Sequence, residues 1–154
     1  MRIALGADHA GVALKDDLAR LLTERGVPFT DFGTQGGESV DYPDFAVTVA
    51  RAVASGAYDR GLLVCGSGIG MAIAANKVPG IRAAAVTELE SARLSRSHND
   101  ANVLALGARV TPPALARDIV TTFLDTPFDG GRHQRRIDKI SALDAVLPPS
   151  QTRD

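Results

Sequence analysis

The chain has 154 residues, 45% of them hydrophobic, which is near the size of one domain with one well-buried core. Seventeen basic residues against eighteen acidic ones leave a net charge of −1, so no global field draws nucleic acid or an anionic membrane, and any anion site must be local. There is no long apolar run, the first apolar segment turns polar at Asp8-His9, and a lone Cys65 cannot form an internal disulfide, so a soluble, unexported, cytoplasmic protein is expected.

In chain order, Arg2 to Gly6 reads as a strand. Ala10 to Arg25 reads as a helix with Val12, Leu14, Leu18, Leu21 and Leu22 on an apolar stripe and Gly26 as its stop. A second strand follows over Val27 to Phe32, then a polar, glycine-rich loop over Gly33 to Pro43, then a helix from an Asp44 cap to about Ser55. Leu62-Leu63-Val64-Cys65 has the continuous apolar character of a central strand, broken by the glycines of Gly66 to Gly70. Met71 to Asn76 reads as helix, Ile81 to Val86 as the fourth strand, Glu88 to Arg96 as a polar-faced helix and Val103 to Leu106 as the fifth strand.

Proline at Pro112-Pro113 suits the start of a helix running to Leu124. Arg132 to about Val146 spaces Ile137, Ile140, Leu143 and Val146 three apart, the narrow seam of a helix packed on a neighbour. The expectation is one α/β domain over 1–147 and a disordered tail over 148–154. Strands alternating with helices imply a parallel sheet with helices on its faces, and ligands bind beyond the carboxyl ends of such strands. Three of those ends carry unusual residues: Asp8-His9, Cys65 with its glycine loop, and Gly107-Ala108-Arg109.

Glycines in Gly66-Ser67-Gly68-Ile69-Gly70 allow consecutive amides to face an anion, though the same run serves as a tight strand-to-helix turn. Met71 stands where a dinucleotide-binding loop needs a third glycine, and no lysine follows as a Walker loop requires. Cys65 reads either as a small buried hydrophobe or as a base whose thiolate the following helix end favours. His9, His98 and His133 each neighbour polar residues rather than an apolar run, and no Cys/His cluster has zinc spacing, so neither metal nor cofactor is expected. Arg132 and Arg136 share a helix face, as a solvated surface or as a phosphate clamp.

Five motifs occur in order: Gly6-Ala7-Asp8-His9-Ala10-Gly11, Asp41-Tyr42-Pro43-Asp44, Cys65 to Gly70 with Ala74-Ala75-Asn76-Lys77, His98-Asn99-Asp100-Ala101-Asn102, and Gly130-Gly131-Arg132-His133-Gln134 with Arg136. Together they resemble the ribose-5-phosphate isomerase B group, which also holds allose- and galactose-6-phosphate isomerases. The resemblance implies a three-layer, doubly wound, five-stranded parallel sheet of Rossmann-like type. It also implies a homodimer or a dimer of dimers, with the last helix packed on a partner and each site shared. No nucleic acid or membrane partner is implied.

By the same resemblance the substrate is a sugar phosphate, ribose 5-phosphate in exchange with ribulose 5-phosphate through a cis-enediolate. Cys65 is implied as the base, assisted by Ser67. His98 would open the ring and Asp8 would hold ring-side hydroxyls. Asn99 and the amides of Gly66, Ser67, Gly68, Ile69 and Gly70 would bind the reacting oxygens, and His9, Arg109, Arg132 and Arg136 would contact substrate and phosphate. A second branch of the group uses a glutamate after the glycine loop; Met71, Ala72 and Ile73 stand there, so the chain is similar to the cysteine branch. The competing readings are another sugar phosphate of four or six carbons, or a non-catalytic sugar-phosphate-binding subunit.

Overall fold

The structure, a computed structural model, describes residues 1–145. Val146 of the expected seam, the boundary at 147 and the tail 148–154 lie outside the described residues. Five parallel strands form one sheet: β1 (Ile3–Ala7), β2 (Phe29–Asp31), β3 (Arg60–Cys65), β4 (Ala83–Ala85) and β5 (Val103–Gly107), in the order β2-β1-β3-β5-β4. Six α-helices accompany them among the described residues: α1 (Val12–Glu24), α2 (Tyr42–Ala54), α3 (Ile69–Ala75), α4 (Leu89–Ser97), α5 (Pro113–Asp125) and α6 (Arg132–Leu143).

Side chains alternate across the strands, and the two faces build two cores. Ile3, Leu5, Leu62, Val64, Leu104 and Leu106 meet Leu14, Leu18, Leu21 and Leu22 of α1 and Ile119, Val120 and Phe123 of α5. Ala4, Leu63, Cys65, Val103 and Ala105 point to the opposite face, against Val49, Ala50 and Val53 of α2 and Met71, Ala72 and Ala75 of α3. This is the doubly wound α/β/α architecture. Each fully buried leucine, isoleucine or phenylalanine side chain contributes about 1.5–3 kcal/mol relative to exposure, so β1, β3 and β5 carry much of the stability.

Strand order reverses between β1 and β3, whose neighbouring ends Ala7 and Val64 are register partners, with Cys65 paired to Gly107 on the other side. A crevice opens outside the carboxyl ends at such a switch point. Gly11 fits there because a Cβ would stand 2.4 Å from the Val64 carbonyl oxygen.

Several boundaries differ from the sequence expectation for local reasons. A short 3-10 turn, His9–Gly11, precedes α1 because Asp8 caps it, accepting from Ala10 N at 3.0 Å and Gly11 N at 3.2 Å. Helix α2 starts at Tyr42 with Asp41 at its cap position, because Pro43 fits the first turn; Asp44 lies inside that turn. Strand β4 is only three residues long: the Ile81 amide bonds the Val78 carbonyl and the Arg82 amide bonds Asn102 Oδ1, which removes both from the ladder.

Lys15 interrupts the apolar stripe of α1 yet is fully buried. Its ammonium pairs with Asp31 and lies 3.1 Å from Asp16. Burial pulls its pKa down, but the hydrogen bonds to Asp31 and Asp16 and their charges outweigh that and raise it. The stability from this group is therefore complete below the ordinary lysine range and is lost as pH rises through the raised value. Asp31 also accepts from Gly33 N at 2.8 Å, so the pair anchors the root of the loop after β2.

Candidate active site

A cavity of about 590 Å³ lies over the carboxyl ends of β1, β3 and β5, lined by Asp8, Tyr42, Cys65, Gly66, Ser67, Ile69, Gly70, Ile73, Arg109 and Val110. The three strand ends singled out in the sequence thus converge on one place.

Cys65 ends β3 and is 5% exposed. Its sulfur accepts the Gly68 amide at 3.1 Å, so an N–H of the glycine loop is directed at Sγ. The turn that achieves this needs glycine at position 68, where φ is +79° and a Cβ would come 2.9 Å from the Leu106 carbonyl carbon. Ser67 is exposed at the rim, and its hydroxyl accepts the Ile69 amide at 3.3 Å. Arg109 lies so close over Gly66 that a Cβ there would stand 2.8 Å from its Nη1.

Asp8, 6% exposed, lines the same cavity while one of its oxygens caps the turn below. His9 ties down the loop after β2: its Nδ1 accepts the Val40 amide at 3.1 Å, which leaves Nε2 to carry the proton of the neutral ring.

Tyr42, of the Asp41-Tyr42-Pro43-Asp44 motif, joins the site although its place in the sequence carries no sign of a role there. The start of α2 lays its ring over Gly70, where a Cβ would be 2.6–2.8 Å from the ring and hydroxyl atoms. Ile69 and Ile73, 58% and 59% exposed, stand one turn apart on α3 and extend an apolar rim with Val110.

The remaining expected site residues lie elsewhere. His98 closes α4 and precedes β5, so it and Asn99 lie at the amino ends of the strands, about 13 Å of strand away from the Cys65 end. The C-terminal cap position of α4 is His98 itself. Here His98 stacks on His133 with ring centroids 4.2 Å apart and planes inclined by 14°. His133 is buried against His98, although its neighbours in sequence are polar; Arg132 and Arg136 on the same helix are exposed.

Burial lowers the His133 pKa first, then the neighbouring His98, Arg132 and Arg136, against an opposing pull from Asp129. Two imidazoles and two guanidiniums make this a basic cluster fit for a phosphate. Donor atoms of His98, His133 and Asp129 lie within 4.8 Å of one another, a set a transition metal can use. The near-parallel stack keeps the in-plane lone pairs of the two rings from converging on a common point.

The expected seam on α6 is divided. Ile137 is buried against its own chain, whereas Ile140 and Leu143 are 46% and 62% exposed. None of the described helices is long and apolar enough to cross a membrane.

A family profile described as Ribose/Galactose Isomerase matches residues 3–140. Ribose-5-phosphate isomerase B of Escherichia coli is 50% identical over 143 residues, 93% of this chain and 96% of that protein. D-erythrulose-4-phosphate isomerase of Pectobacterium atrosepticum is 45% identical over 141 residues, 91% of this chain and 93% of that protein. The solved structure of Clostridium thermocellum ribose-5-phosphate isomerase B superposes with a TM-score of 0.93 at 55% identity, covering 95% of this chain and 99% of that one.

Proposed function

This chain belongs to the ribose/galactose isomerase family, and on that premise we propose that it interconverts ribose 5-phosphate and ribulose 5-phosphate, with Cys65 as the base and no metal in the reaction. The observation that carries the reading is the place of Cys65: a nearly buried thiol at the switch point, receiving the Gly68 amide and lining a cavity that Asp8, Ser67 and Arg109 share. In the open-chain aldose, the Cys65 thiolate takes the C2 proton, the C–H pair becomes the C1–C2 double bond, and charge moves to O1. The proton on O2 then passes to O1 while the sulfur returns its proton to C1, leaving the ketone at C2. Amides of the Gly66 to Gly70 loop stabilise the enediolate, each such donor supplying about 3 to 4 kcal/mol. Ser67 assists at the sulfur, and Asp8 and His9 hold substrate hydroxyls.

His98 and Asn99 complete the reading as ring-opener and oxygen-binding residue, with Arg109, Arg132 and Arg136 on substrate and phosphate. Because His98, Asn99, Arg132 and Arg136 sit at the opposite end of the sheet from Cys65, one chain cannot bring both sets to one five-carbon sugar. A second copy can. The enzyme therefore acts as a homodimer, alone or paired with another, in which the amino-end cluster of one subunit covers the Cys65 cavity of the other. The exposed Tyr42, Ile69, Ile73 and Val110 around that cavity, and Ile140 and Leu143 on α6, are apolar surface such a contact covers.

Purified protein assayed with aldose and ketose phosphates of four to six carbons, with and without chelator, tests the assignment. Highest kcat/KM on ribose 5-phosphate, unchanged by chelator, is expected; no turnover of that sugar contradicts it. A four-carbon substrate is the second reading, favoured by the Pectobacterium relative. It is supported if the tetrose phosphate gives the highest kcat/KM.

A tetrose 4-phosphate also isolates the role of His98, since its C4 hydroxyl is esterified and it cannot close a five-membered ring. Proton transfer by a positioned side chain is worth about 10²–10⁴-fold, so His98→Asn is expected to lose about 100-fold on ribose 5-phosphate and little on the tetrose. Equal losses on the two sugars contradict the ring-opening role.

A further inference from the structure

Arg82 belongs to none of the five motifs, yet its side chain makes four hydrogen bonds to Asn99 and Asp100, the two residues that follow His98. It stands before β4, and its guanidinium reaches across to the turn between α4 and β5. Nε donates to the Asn99 carbonyl at 3.1 Å and the Asp100 carbonyl at 3.0 Å, and Nη2 donates to the Asp100 carbonyl at 2.9 Å and to its carboxylate at 3.1 Å. The Arg82 amide donates to Asn102 Oδ1 at 2.8 Å, which closes the far side of the same turn.

The turn needs holding. Asp100 has φ +45°, the single non-glycine residue at positive φ among the described residues, a conformation that aspartate adopts at some cost. Its other carboxylate oxygen takes Arg96 Nη1 at 2.8 Å, and Arg96 also bonds the Ala101 carbonyl at 2.6 Å. Bidentate and charge-assisted bonds of this kind fix geometry as well as energy.

We propose that Arg82 is a positioning residue for the reaction, clamping the Asn99–Asp100 turn so that His98 is presented in the orientation ring opening requires. The proposal rests on the ring-opening reading of His98 given above. A lysine is a point charge on a flexible stem and does not reproduce a contact to two carbonyls and a carboxylate.

The test compares Arg82→Gln and Asp100→Asn with wild type and His98→Asn. Asparagine tolerates the positive φ at position 100 while removing both ion pairs, so it serves where Arg82→Gln fails to fold. Misplacing a catalytic group by about 1 Å costs up to 10²-fold. With thermal unfolding near wild type, Arg82→Gln is expected to lose about ten-fold or more on ribose 5-phosphate and much less on a tetrose 4-phosphate, the pattern of His98→Asn. The His98 imidazole resonances are expected to shift or broaden in the same variant.

Wild-type rates on ribose 5-phosphate, or equal losses on both sugars while His98→Asn loses selectively, overturn the proposal. If His98→Asn itself shows no selectivity, the ring-opening reading has failed instead. The His98 resonances then decide whether Arg82 positions that ring: unchanged signals overturn the clamp, and displaced ones uphold it.

Discussion

Cys65→Ala is expected to abolish isomerisation of ribose 5-phosphate while leaving the fold and the binding of a phosphorylated sugar nearly intact. The substitution removes the sulfur that accepts the transferred proton, and with it the bond from the Gly68 amide, but it leaves the β3–β5 pairing and the basic cluster in place. Little is lost in packing, because Sγ is a single buried atom at the strand end beside the cavity. Cys65→Ser is expected to be almost as poor, since an unactivated hydroxyl is far weaker as a base than a thiolate. The loss should lie in kcat, with the affinity for a phosphorylated substrate analogue close to wild type. Either variant retaining more than about a tenth of the wild-type kcat contradicts Cys65 as the base, because a positioned base is worth at least about 100-fold.

Mixing two inactive variants is expected to restore activity. In a Cys65→Ala chain paired with an Arg136→Ala chain, one site takes the intact Cys65 of the second chain and the intact Arg136 of the first, while the other site lacks both. Random exchange makes half the dimers hybrids with one good site of two, so about a quarter of wild-type activity should return. The pairing of Cys65→Ala with His98→Asn should behave alike, because the stack on His133 keeps His98 with Arg132 and Arg136 at the amino end of the sheet. Hybrids demonstrated by mass spectrometry that remain as inactive as their parents place Cys65 and Arg136 of a site on the same chain, and the shared site is then wrong.

Much of the carboxyl-end site was legible in the sequence because it depends on local grammar. A continuous apolar strand ending in cysteine, followed by alternating glycines, specifies both the sharp turn at Gly68 and the position of Cys65 beside it. The same holds for Asp8, whose cap follows from standing between a strand and Ala10-Gly11. The division of the site was less legible. His98 stands just before β5, and a residue before one strand and a residue after its parallel neighbour lie at opposite ends of the sheet, which is read from a single sequence only when direction along the strands is carried through.

Long-range bonds hid the rest. The burial of Lys15 depends on its meeting with Asp31 across 16 residues, a pairing that no local pattern in the sequence marks. Arg82 read as the second residue of a strand. Its actual work, on carbonyls 17 and 18 residues ahead, has no periodicity to betray it. His133 sits among charges in sequence, yet the i, i+4 pairing with Ile137 turns it inward on α6. Tyr42 owes its place over Gly70 to the start of α2, whose cap position is Asp41, three residues before the expected Asp44, because Pro43 fits the first turn.

The most direct measurement of the central claim follows ribose 5-phosphate with wild-type protein and with Cys65→Ala in deuterated water by NMR, with chelator present. Transfer of the C2 proton to C1 through the sulfur predicts that wild type forms ribulose 5-phosphate, with solvent deuterium at C1 to the extent that the S–H exchanges before the proton is returned, and that Cys65→Ala forms neither the ketose nor a deuterated sugar. Ribulose 5-phosphate formed by Cys65→Ala at more than about a tenth of the wild-type rate, or no ribulose 5-phosphate from wild type, would contradict it.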